Sequence, residues 1–155
     1  MRWSKASVQN EKLYEVPPIE LELAVARVLK TQGIKAHEPI PEPKCAVIYD
    51  DPESRIPIMF YLNHSETVCV AISAGVVDTE FAYNLHSARI ITIWQVWKPF
   101  YQLVRVHRQD EEIFWEMEKW AGQFANEQKS RAAVEKSHRA GVEKRIAEGR
   151  GMQKV

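Results

Sequence analysis

No apolar run in the 155-residue chain approaches the roughly 18 residues that a membrane helix needs. The start, Met1-Arg2-Trp3-Ser4-Lys5, leads into polar sequence and not into the apolar core of a signal peptide. A soluble, cytoplasmic protein is the expectation. Cysteine is scarce: Cys45 and Cys69 fall in different segments and outside any C-x-x-C pair, the pattern of reduced structural thiols. Catalytic signatures are missing too. There is no G-x-S-x-G, P-loop or G-x-G-x-x-G, and none of the five histidines forms an H-x-x-x-H or H-E-x-x-H pair. The chain is therefore read as a non-enzyme with no cofactor and no metal.

What is present is the composition of one ordinary globular domain, 45% hydrophobic and 27% charged. A chain of this length buries about two-thirds of its unfolded surface, so it folds without a disulfide or structural metal. Lys plus Arg and Asp plus Glu balance at 21 each, but unevenly along the chain. From Lys129 onward eight basic residues face three glutamates, a net charge of +5, which leaves −5 on residues 1–128. An acidic body with a basic tail is an asymmetry that can mark an interaction arm.

Residues 1–16 show no clean period and read as a leader. Pro17-Pro18 and Glu20 suit a helix start, and Gly33 suits its end, giving a helix near 18–32. Pro39, Pro41, Pro43 and Pro52 forbid a long helix across 34–55, which reads as a proline-rich connection with an extended run at Cys45 to Tyr49. From Ile56 the residues Ile58, Tyr61, Leu62, Val68, Cys69 and Ile72 share one helical face, for a helix near 56–74 ended by Gly75. Asp78 is the expected N-cap of a long central helix near 79–107, in which Pro99 introduces a kink or a break.

Asp110 is the expected cap of the next helix, 110–128, whose stripe is Ile113, Phe114, Met117, Trp120, Ala121 and Phe124. Beyond Gln128 large apolar residues become rare. Glu127/Arg131 and Glu135/Arg139 are i,i+4 pairs, Ala133, Ala140 and Ala147 recur every seven residues, and Gly141 interrupts that seam. The sequence thus predicts a mainly α fold: a small antiparallel helical bundle over 1–128, and a basic, partly frayed helical tail over 129–155.

Tyr61-Leu62-Asn63 with Glu66, Ala71-Ile72, Gly75-Val76-Val77-Asp78, Trp94 or Trp97 with Pro99-Phe100, Arg105, and Glu118 to Trp120 occur in this order. Over about residues 61–128 this pattern resembles a bacterial and phage family known only as a domain of unknown function. The resemblance implies a helical domain and carries no chemistry.

Two constellations stand out. Glu66 and Arg105 border apolar helix faces, and a structural ion pair between them is expected to fix which helix faces which. Trp115 lies opposite the apolar stripe of its helix, among Glu111, Glu112, Glu118 and Lys119, where an exposed tryptophan is a favoured anchor for a protein partner. The function expected is a protein-binding or regulatory module of bacterial or phage origin, with self-association one of its options. The alternative is a nucleic-acid-associated protein that contacts phosphates through Arg131, Arg139, Lys144 and Arg145 of the tail.

Overall fold

The structure is a computed structural model that describes residues 18–151; the leader at 1–16 and the last four residues of the tail lie outside the described residues. Five helices follow in order: α1 (Pro18–Thr31), α2 (Glu42–Asp50), α3 (Pro52–Ser73), α4 (Thr79–Arg108) and α5 (Trp115–Gly151). The described residues contain no strand. The protein is a mainly α helical bundle, as its periodicity predicts.

Three helices end in the same way. Gly33 and Gly75 adopt left-handed backbones, with φ of 65° and 71°. In each, the next residue bonds back five positions, Ile34 N–H to the Leu29 carbonyl and Val76 N–H to that of Ala71. This closing pattern captures the carbonyls that a helix end leaves orphaned. At the end of α4 the left-handed position is Gln109, φ 51°, and Asp110 N–H bonds the Arg105 carbonyl. A residue that tolerates this backbone without being glycine is invisible to a search for glycine stops.

The connection at 34–55 differs from the expectation. Cys45 to Tyr49 is not extended: it lies in α2, which begins after Pro41 and carries Pro43 in its first turn. Proline in a first turn loses no intrahelical bond, so these residues start a helix as well as forbid a long one. The same holds at Pro52, where Asp51 caps α3 by accepting from Glu53 N–H at 3.3 Å and Ser54 N–H at 3.1 Å. Thus α3 begins four residues before Ile56, and Pro57 lies inside it.

Helix α4 is central. Its buried residues run from Ala82 through Ile90, Ile93, Trp97 and Tyr101 to Val104. Pro99 leaves it a single helix. In the turn crowded by the proline ring, the Val96 carbonyl accepts Ile40 N–H at 3.0 Å, which pins the connection to the bundle. Asp78 caps α4 by accepting Phe81 N–H at 2.9 Å. Helices α4 and α5 run antiparallel, since Tyr101 meets Phe114 at one end while Tyr83 meets Phe124 further along. The fully buried Ile58, Leu62 and Cys69 of α3 and Met117 of α5 close the core around α4, with α1 packed on α3 and α2 against both α3 and α4.

The glycines give a prediction of opposite signs. A Cβ at Gly75 meets nothing within 4 Å, but φ there is 71°, so Gly75→Ala is expected to cost about 1–2 kcal/mol. Gly141 is helical and equally open, so Gly141→Ala is expected to stabilise by up to about 1 kcal/mol. Urea denaturation followed by circular dichroism checks both.

Candidate functional site

The candidate site is the turn between α4 and α5. Asp110 does not cap α5: its Oδ1 accepts Glu112 N–H at 2.9 Å and so organises the intervening turn at 111–114. Phe114, with φ of 59°, then breaks the helical path, so α5 starts at Trp115. The cap comes from α3 instead. Glu66 reaches across and accepts Glu116 N–H at 3.0 Å on Oε1 and Met117 N–H at 2.7 Å on Oε2.

The expected Glu66–Arg105 ion pair is accordingly corrected. Arg105 donates from Nε to the Ile113 carbonyl at 2.8 Å and pairs its Nη1 with Glu118 at 2.9 Å. Glu66 and Arg105 thus meet the same segment from opposite sides. Free backbone N–H groups at the start of α5 are better partners for Glu66, because they would otherwise lack acceptors. Burial lifts the Glu66 carboxyl above its ordinary value, and the two N–H bonds and the Arg105 charge pull it part of the way back.

Inside this clasp, Phe114 packs against the fully buried Tyr101, ring centroids 4.7 Å apart, and Tyr101 stacks on Trp94 at 5.0 Å. The Tyr101 hydroxyl and the Arg105 Nη2 are buried without a hydrogen-bond partner among the described residues. Burial, and then the Glu66 charge, hold the Tyr101 phenol well above its ordinary value. Beside the clasp, Ser73 at the end of α3 ties down the first turns of α5. Its hydroxyl donates to Glu116 and accepts from Lys119 Nζ at 2.9 Å and Trp120 Nε1 at 2.8 Å. A lone serine carries no sequence signal for this role.

Trp115 itself points outward and is 57% exposed. It borders a cleft of about 700 Å³ with Gln102, Val106 and Gln109 of the α4 end and Asp110 and Glu111 of the turn. Val106 is 74% exposed, which the sequence analysis did not single out. Glu111 and Glu112 are exposed beside Trp115, whereas Lys119 turns away to bond Ser73 and Glu116 and to lie 5.4 Å over the Trp120 ring.

The tail residues occupy the far end of α5. Arg131 pairs with Glu80 at 2.6 Å and Glu127 at 2.7 Å, and lies 4.1 Å over the Tyr83 ring. Arg139 pairs with Glu135 at 2.5 Å and Lys144 with Glu148 at 3.9 Å, while Arg145 bonds the Gly141 carbonyl. The structure does not bring these residues to Trp115. From Asn126 to Glu148 every residue except Val142 is exposed, and α5 continues through Gly141 without a break.

The clasp predicts a measurable loss. Glu66→Gln leaves one of two helix N–H groups facing an amide donor, and about 1–3 kcal/mol of stability is expected to go with it. The raised carboxyl value adds a pH signature. The stability it contributes is full below the unfolded value and falls as pH rises through the folded one. Denaturation across the acid range should show that slope in the difference between the wild type and Glu66→Gln.

No curated protein and no solved structure matches the chain. One family model does, over residues 21–124, from the first turn of α1 to the last core residue of the α5 stripe, so its span includes both the clasp and the Trp115 cleft. The chain belongs to this family, a domain of unknown function designated DUF4760.

Proposed function

We propose that the chain is a non-enzymatic protein-binding or regulatory module whose contact surface is the Trp115 cleft. The observation that carries this reading is a large, exposed tryptophan presented on a clamped turn. The backbone on either side of Trp115 is held by the Arg105 bond to Ile113 and the Glu66 bonds to Glu116 and Met117. A side chain on such a base loses little freedom on binding, and tryptophan anchors of this kind carry much of the affinity of protein interfaces. Val106 adds apolar surface, and Glu111 with Glu112 gives the rim an acidic character. We place the module in the cytoplasm of a bacterium or phage host, in keeping with two buried, unpaired cysteines.

Phosphate binding through the tail has less support. Three of its cations, Arg131, Arg139 and Lys144, already face carboxylates. Affinity capture from a lysate treated with nuclease separates the two readings. A protein captured by the wild type and lost with Trp115→Ala supports the module, with an expected drop in affinity of about thirtyfold or more. Nucleic acid captured in a salt-sensitive way, and lost on truncation after Gln128, overturns it.

A further inference from the structure

We infer that the cleft where the ends of α2 and α4 meet the first half of α3 binds a small phosphate monoester carrying a compact apolar group. The site is separate from the Trp115 cleft and does not depend on the role proposed there.

Helical spacing assembles it. Arg55, Met59 and Asn63 stand four residues apart on α3, and Ile56 and Phe60 repeat that spacing beside them, so all five share one side of the helix. Tyr49 at the end of α2 and Arg108 at the end of α4 complete a cleft of about 240 Å³. Drug-sized ligands occupy roughly 300–1,000 Å³, so the occupant here is smaller.

The two cations in this cleft are unspent. Neither Arg55 nor Arg108 is in an ion pair among the described residues, whereas Arg89, Arg105, Arg131 and Arg139 all are. Asp51 feels the charge of Arg55, but its oxygens are taken by the Glu53 and Ser54 N–H groups and the Ser54 hydroxyl. Arg55 is nonetheless held in place: its Nη1 donates to the Tyr49 carbonyl at 2.7 Å, and its guanidinium lies 5.3 Å over the Tyr49 ring. One of its five N–H groups is used in this way, and the others are fixed in position before any ligand arrives. Arg108 suits the negative end of the α4 dipole, yet its guanidinium and the Asn63 amide make no hydrogen bond among the described residues.

The ligand follows from this chemistry. Guanidinium groups grip carboxylate and phosphate oxygens two at a time. Two uncompensated positive charges match a phosphate monoester, which carries about −1.5 to −2 near pH 7, better than a singly charged carboxylate. The Asn63 amide adds a neutral donor. Ile56, Met59 and Phe60 line the same cleft with apolar surface, which bare phosphate would leave unused and an apolar ester group would cover.

Calorimetric titration of the full chain with phenyl phosphate, inorganic phosphate and benzoate, at fixed ionic strength, tests the inference. Phenyl phosphate should bind tightest. Arg108 is exposed and bonds nothing, so Arg108→Gln should leave the melting temperature unchanged while weakening phenyl phosphate about tenfold, the loss of one charge-assisted contact. Trp115→Ala should bind it as the wild type does. Absence of saturable phenyl phosphate binding at millimolar concentration overturns the inference, and so does full affinity in Arg108→Gln. Inorganic phosphate or benzoate binding as tightly as phenyl phosphate overturns the monoester assignment. A loss in Trp115→Ala would put the ligand in the other cleft and overturns it as well.

Discussion

The structure depends on one carboxylate placed where a helix begins. Helix α5 starts directly after a left-handed Phe114 and carries no cap of its own, so its first N–H groups need an outside acceptor. Glu66 of α3 supplies it with both oxygens. Two bonds to consecutive N–H groups fix where α5 sits along α3, and a negative charge at that end also suits the helix dipole. Arg105 completes the hold from α4 by taking the Ile113 carbonyl on the other side of Phe114. An anion on the N–H side and a cation on the C=O side lock one short turn between three helices.

That lock explains how Phe114 keeps its backbone. A left-handed conformation costs a non-glycine residue roughly 1–2 kcal/mol, while burying an aromatic ring contributes about 1.5–3 kcal/mol. Phe114 is 3% exposed and sits against Tyr101, so burial outweighs the strain. The consequence reaches the surface. Two aromatic neighbours in sequence are sent opposite ways, Phe114 into the core and Trp115 out to the cleft. Tryptophan exposure here follows from a backbone constraint made by Glu66, two helices earlier in sequence.

The helices were largely legible because their signals are local. Asp78, Gly33 and Gly75 act within one turn of where they stand, and Ile58, Leu62, Cys69 and Ile72 repeat on one face that the core buries. The family match covering α1 as well as the later helices widens the span that the resemblance over 61–128 had indicated. What escaped was of two kinds. Prolines at 41, 43 and 52 forbid a long helix across 34–55 but stand at or beside first turns, where they start α2 and α3, and composition does not separate the two roles. The clasp escaped because its partners are backbone groups. Residue types show that Glu66 and Arg105 are charged and border apolar faces, but free N–H and C=O groups exist only once Phe114 has broken the helix.

Helix α5 therefore has two halves of different character on one rigid axis. Its first turns bury Met117, Trp120, Ala121 and Phe124 and so nucleate the helix, after which each further residue adds a bond at little entropic cost. The exposed half extends from that nucleus, supported by Arg131 on Glu80 and by i,i+4 pairs worth a few tenths of a kcal/mol each. Because the axis is continuous and its start is clamped, Trp115 and the basic stretch are held at a fixed separation and a fixed angle. A partner that touches both must match that distance as well as the chemistry at each end. In the proposed role, the geometry that a partner meets is in that respect set by Glu66, which determines where α5 begins.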